Sequence, residues 1–152
     1  MSNDARLELE SLQPERELAN FVADCRGDGA VVSFVGLARS SDREGRAVAS
    51  LFLDFYPGMT ESSLHSIARD ALARFDVSAV RIVHRGGMIS PGEPIVFAAA
   101  APHRRSAFEA ADYLMDRLKT DAMFWKREDG VDGSRWIEPT DADRADRARW
   151  SE

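Results

Sequence analysis

The chain has 152 residues, of which 44% are hydrophobic and 30% charged, with a formal net charge of −6. One globular domain spanning 1–152 is expected, long enough to bury roughly 70% of its unfolded surface. The acidic balance argues against nucleic acid or an anionic membrane as a general partner, but leaves room for a local cationic pocket.

The opening stretch "MSNDARLELESLQPERE" has no apolar centre and no basic leader, so no signal peptide is expected. A helix is predicted from Pro14 to about Arg26, with Leu18, Phe21, Val22 and Cys25 on one face and Gly27 and Gly29 stopping it. Cys25 is the only cysteine. It excludes an intrachain disulfide, suits a reducing cytoplasm, and on that apolar stripe reads as a buried structural thiol. "AVVSFVG" (30–36) is a predicted strand, "LARSSDREGR" (37–46) a polar loop with three arginines, and "AVASLFLDFY" (47–56) a second strand by alternation. The two strands are expected to pair as a hairpin.

"PGMT" turns the chain, with Thr60 as expected N-cap of an amphipathic helix to about residue 75. "VSAVRIVH" (77–84) reads as a strand, "RGGMISPGEP" as turns, and "IVFAAAA" (95–101) as a central strand apolar on both sides, too short to span a bilayer. A helix from about Arg105 to Thr120 is expected to bury Phe108, Ala111, Leu114, Met115, Leu118 and Ala122. "MFWKRE" (123–128) and "SRWIEP" (134–139) are short extended segments around the turn "DGVDG", and "DADRADRARW" (141–150) is a charged helix with a solvated face. This alternation of helices with strand pairs, without regular βαβ repetition, predicts an α+β fold with a mixed or antiparallel sheet and flanking helices.

Chemistry concentrates at two places. "APHRRSAFEA" puts His103, Arg104 and Arg105 at a helix N-terminus, where cations are unfavourable unless they bind an anion, face solvent or pair with carboxylates. "DRLKTDAMFWKRED" (116–129) brackets an apolar knot with Lys119 and Lys126. Lys119 can be a C-terminal dipole partner or, desolvated on the apolar side, an acid, base or nucleophile. Lys126 shares a side of the extended segment with Phe124, either as an edge lysine or as the second member of a pocket. Arg39 lies in a strand-end loop, a common place for binding residues. His65, His84 and His103 are scattered, so no metal site is expected. "HRGG" (84–87) reads as a strand end running into a turn.

"GAVVSFVGLAR" (29–39), "YPGMTE" (56–61), "VHRGG" (83–87), "PGEPIVF" (91–97), "HRRSAFEA" (103–110), "DRLKTDAMFWKRE" (116–128) and "RW" (135–136) follow one another in an order and spacing that resemble the family of large, catalytic subunits of molybdopterin synthase. The resemblance covers about residues 5–150. It implies an α+β fold of the hammerhead type and a sulfurtransferase of molybdenum cofactor biosynthesis. Such an enzyme makes the dithiolene of molybdopterin from cyclic pyranopterin monophosphate, with sulfur carried as a thiocarboxylate on the C-terminal Gly-Gly of a small ubiquitin-like subunit. It further implies a homodimer of this chain, a heterotetramer with two small subunits, and no metal or organic cofactor.

Carried over by motif, Lys119 and Lys126 are the expected catalytic residues, Lys119 foremost. Leu37, Ala38, Arg39, His103, Arg104, Lys119, Lys126, Arg127 and Glu128 are the expected substrate-binding set, with Arg39, His103 and Arg104 holding phosphate and pterin, in part across a dimer interface. Pro102, Met123 and Leu37 depart from the family's usual residues, which bears on backbone path and substrate grip more than on the reaction. The alternative is a non-catalytic module of the same fold that binds an anion or a ubiquitin-like partner. A nucleotide-regulated protein is disfavoured, since no phosphate-cradling glycine loop is present.

Overall fold

The computed structural model describes residues 2–151. Eight strands and four helices follow in the order β1 (Ser2–Glu8), α1 (Pro14–Asp24), β2 (Val32–Leu37), β3 (Val48–Phe55), α2 (Met59–Arg74), β4 (Ala79–Arg85), β5 (Gly87–Ile89), β6 (Pro94–Ala101), α3 (Arg104–Asp121), β7 (Phe124–Gly130), β8 (Gly133–Ile137) and α4 (Asp141–Ala148). They make two four-stranded sheets, β1-β4-β6-β2 and β5-β3-β7-β8. Among the described residues only the β1–β4 pairing is parallel. The α+β expectation holds.

The first sheet is built around β6, which is central as its unbroken apolar run requires. Ala98 and Ala100 face a core shared with α2 and α3, and Phe97, Ala99 and Ala101 face a smaller core that includes Phe21 and Cys25. Alanine on both faces lets helices approach the strand closely. The peptide between Ala101 and Pro102 is cis. Edge strand β2 leaves Phe34, Val35 and Leu37 exposed.

Four expectations need correction. The hairpin between the strands at 30–36 and 47–56 does not form: β2 pairs with β6, and β3 lies in the other sheet between β5 and β7. The connecting loop closes on itself instead, through a Ser41–Ala47 bridge and an Asp42 carboxylate that accepts from the Arg46 amide and guanidinium (both 2.9 Å).

Thr60 lies inside α2, whose N-cap is Gly58 at φ 85°; the Gly58 amide donates to Glu61 at 2.9 Å. In α1 the buried line is Glu17, Phe21 and Cys25, while Leu18 and Val22 are exposed. Glu17 goes inward because Arg6 of β1 meets its carboxylate at 2.6 Å. In α3 the buried stripe runs through Ala107, Ala110, Ala111, Leu114 and Leu118, and Phe108 lies off it and is exposed. Two strands were not expected. β1 buries Ala5 against β4 while Arg6 and Glu8 pair with each other, and β5 is a three-residue partner for β3.

Candidate functional site

The site is built on β7. Alternation puts Phe124, Lys126 and Glu128 on one face and Trp125 and Arg127 on the other. Lys126 stands opposite fully buried Leu53 of β3 on one side and Ile137 of β8 on the other. The strand's entry is tied to α2. The Thr60 hydroxyl, itself fully buried, donates to the Met123 carbonyl at 2.7 Å, and the Met123 amide donates to the Ser63 hydroxyl at 3.2 Å. The apolar knot is anchored on both faces. Phe124 stacks on His84 of β4 at 4.2 Å, and the Trp125 indole N–H donates to the Tyr56 hydroxyl at 2.9 Å.

Lys119, exposed in the last turn of α3, comes close enough for its charge to act on Lys126. Lys126 is the half-buried member. Burial pushes its ammonium below the usual lysine range, the charge of Lys119 pushes it further, and Asp143 of α4 opposes the shift. Desolvation thus falls on Lys126 rather than on Lys119. His84 lies beneath them. Burial holds its imidazole down at about 4 against the bond from its Nδ1 to the Arg85 carbonyl (2.8 Å), and the charge of Lys126 adds to the depression. A neutral His84 keeps a third positive charge out of the cluster.

Ala38 brings the 37–39 segment to the same side. Ala38 packs in a small cluster with Leu53 and Ile89, with Phe124 against it, while Leu37 and Arg39 are exposed. The segment is held by backbone bonds from Ala38 to Glu93 and from Gly92 to Ala38, both 2.9 Å. Glu93 in turn meets the buried Arg85 guanidinium at 3.2 Å, and Arg85 also donates to the Met88 carbonyl at 2.9 Å. Glu128 lies on the lysine face, paired with Arg135 at 3.3 Å. Arg127 lies on the opposite face between the Phe52 and Trp136 rings, bonded to Asp129 at 2.7 Å.

His103 and Arg104 are exposed at the start of α3, with His103 3.7 Å from Asp76. Sixteen residues of α-helical rise separate His103 from Lys119, about 24 Å. One copy of the chain therefore assembles Lys119, Lys126, Glu128 and the 37–39 segment, and leaves His103 and Arg104 at the far end.

Sequence reasoning missed His84, Thr60 and Asp143 as neighbours of the lysines. It also passed over a compositional signal. Lys119 and Lys126 are the chain's only lysines, beside 18 arginines. Arginine cannot give up its proton in a protein, whereas a desolvated lysine can. The residue type able to titrate is used only where the fold brings two of them together.

The sequence model of the MoaE protein family matches residues 7–121. The chain belongs to this family. A curated relative from Caulobacter vibrioides, a molybdopterin synthase catalytic subunit, is 51% identical over 92% of each chain. One of the same description from Pseudomonas aeruginosa is 45% identical over 97% of this chain and 98% of its own. Among solved structures, the molybdopterin biosynthesis MoaE protein from Burkholderia ambifaria superposes with a TM-score of 0.82 at 38% identity, covering 99% of both chains. The lysine face extends past residue 121, and the two curated alignments run on over most of the chain.

Proposed function

We propose that this chain is the catalytic subunit of a molybdopterin synthase. It moves sulfur from the C-terminal thiocarboxylate of a small ubiquitin-like carrier to cyclic pyranopterin monophosphate, forming the dithiolene of molybdopterin. The observation that carries this reading is the meeting of the only two lysines, one half-buried with a depressed ammonium and one exposed, beside the 37–39 segment. Both the carrier's tail and the cyclic phosphate are anions, and a paired ammonium site on an acidic protein draws them to one place. Held in a partly desolvated wall, the ammonium groups stabilise negative charge that develops as sulfur attacks the pterin side chain. Lys126, with its lowered affinity for a proton, is suited to pass one to a leaving oxygen.

Lys119 borders the thiocarboxylate, Arg39 grips the phosphate, and Leu37, Ala38 and Glu128 shape the entrance. The whole chain acts as one domain. His103 and Arg104 act from a second copy across a homodimer, and the exposed apolar edge of β2 suits such a contact. One small subunit on each copy completes a heterotetramer. Arg127, on the other face of β7, grips substrate only from outside the lysine pocket of its own chain. Our reading has the reaction run in the cytoplasm, a reducing compartment that suits the single buried thiol of Cys25. Among the described residues no helix is long and apolar enough to cross a membrane.

The test combines the protein with thiocarboxylated carrier and cyclic pyranopterin monophosphate and measures dithiolene formation. Product is expected from the wild type and a loss of at least about 100-fold for Lys119→Ala, the scale of removing one charge-stabilising group. No product from the wild type would overturn the enzymatic reading. Undiminished turnover in Lys119→Ala would remove that lysine from the chemistry.

A further inference from the structure

We propose that Asp143 is the fixed counter-charge of the Lys119–Lys126 pair, a positioning residue carried to the site by α4. The inference rests on the reading of those lysines as the reaction centre.

Two independent constraints bring Asp143 there. The first is the docking of α4 on α3. Arg149 meets Asp116 at 2.5 Å and Asp112 at 3.1 Å, the Trp150 indole donates to Asp116 at 2.7 Å, and Arg147 meets Asp121 at 3.0 Å. Later residues of α4 thus meet earlier residues of α3, so the helices run antiparallel. The first turn of α4 lies at the end of α3 that carries Lys119. The second constraint is β8, where Ile137 is the register partner of Lys126 and only three residues separate Ile137 from Asp141. Both routes place the start of α4 beside the lysines.

Within that turn the Asp143 carboxylate is held. It accepts from the Thr140 amide at 2.9 Å, while the Asp143 amide donates to the Thr140 hydroxyl at 2.9 Å. A carboxylate held by its own helix cap is restrained from swinging onto an ammonium as a surface ion pair does. It acts at a distance, and neither lysine is tied up in an ion pair among the described residues. The groups facing Lys126 are therefore Lys119 from α3, neutral His84 from β4, Glu128 on its own strand held by Arg135 of β8, and Asp143 from α4. Asp143 is the acid among these that no arginine compensates. Asp143 favours the ammonium form of Lys126 against burial and the charge of Lys119, and its own carboxyl is held below the usual range, against burial, by the Thr140 amide first and by the two lysines in addition. The physical role is to keep Lys126 charged beside Lys119 until an anionic substrate arrives and takes over that neutralisation.

The experiment titrates the protein labelled with 13C at lysine Cε and follows both side chains by NMR. Two lysines give two signals, and Lys119→Arg assigns them. Asp143→Asn is expected to lower the Lys126 midpoint by about half a pH unit or more, as removal of a nearby opposite charge does. Asp143→Glu is expected to restore it. Thr140→Ala removes the hydroxyl of the same cap but keeps the carboxylate, and is expected to leave the midpoint in place. An Asp143→Asn midpoint equal to wild type would overturn the proposal, and so would a Thr140→Ala shift as large as that of Asp143→Asn, since capping alone would then explain it. Because this readout needs no substrate, it decides the role of Asp143 separately from the sulfur-transfer assay. If the wild type makes product, the alkaline limb of its rate profile is expected to fall by the same interval in Asp143→Asn.

Discussion

His84 shows how one buried side chain couples the site to stability. Its folded value of about 4 lies below the roughly 6.5 of an unfolded histidine. Between those two values the unfolded chain binds a proton that the folded chain refuses, so stability falls as pH drops through that window and gains nothing from this group above it. The full loss by pH 4 is about 3 kcal/mol, at 1.36 kcal/mol per unit. His84→Gln is expected to flatten the difference in urea-unfolding free energy between pH 7 and pH 4 by an amount of that order. Equal pH slopes for the two proteins would show that His84 does not titrate in this way. In the sequence His84 was legible only as the end of a strand. Its closeness to Lys126 joins strands of different sheets, and no local pattern carries that information. The lysines were legible because their neighbours in sequence, the apolar knot and the end of a helix, are also their neighbours in space.

At the level of elements, β7 is held by ladders to β3 and β8 and, at its entry, by a tether to α2. Thr60 accepts from the Tyr56 amide at 2.9 Å and donates to the Met123 carbonyl, so one hydroxyl joins the turn before α2 to the start of β7. Thr60→Val keeps the shape and removes both bonds in a site without solvent. A loss of about 1–3 kcal/mol is expected in chemical denaturation, together with reduced turnover as Lys126 loses its fixed strand. A stability loss with fully retained turnover would show that the tether serves the fold alone. The same elements show where sequence patterns succeed. The helices, β6 as a central strand and the extended 123–128 segment were legible from period and composition. The polar stretch "DARLE" also alternates, but its outward charges hid the strand β1, whose ion pairs with distant residues are invisible in one dimension. Helix faces were misjudged by one position in α1 and α3 because Leu18 and Phe108 are apolar yet exposed. Apolarity marks a surface to be covered without saying by which molecule.

At the scale of the molecule, an acidic protein brings both of its lysines to one point and uses many of its arginines in ion pairs and stacking elsewhere. The C-terminal helix, which in sequence reads as a solvated charged face, is docked across α3 by Trp150. That indole makes edge contacts with Phe75 and Tyr113 at 5.6 and 5.5 Å. Trp150→Ala is expected to cost about 2 kcal/mol through these pairs and the Arg74 contact, measured as a lower urea midpoint. An unchanged midpoint would mean that the arginine bridges alone hold the helix. The length of α3 has a genetic consequence as well. With the His103–Arg104 end and the Lys119 end about 24 Å apart, a catalytic centre that needs both must draw them from different copies. Two inactive proteins, Arg104→Ala and Lys119→Ala, should then complement each other. Mixed and allowed to exchange subunits, they form hybrids in which one centre carries both lesions and the other carries neither. Recovery of up to about a quarter of wild-type activity, rising on the timescale of subunit exchange, is the expected signature, from half the pairs being hybrids with one good centre each. Mixtures as dead as their components would mean that each copy works alone.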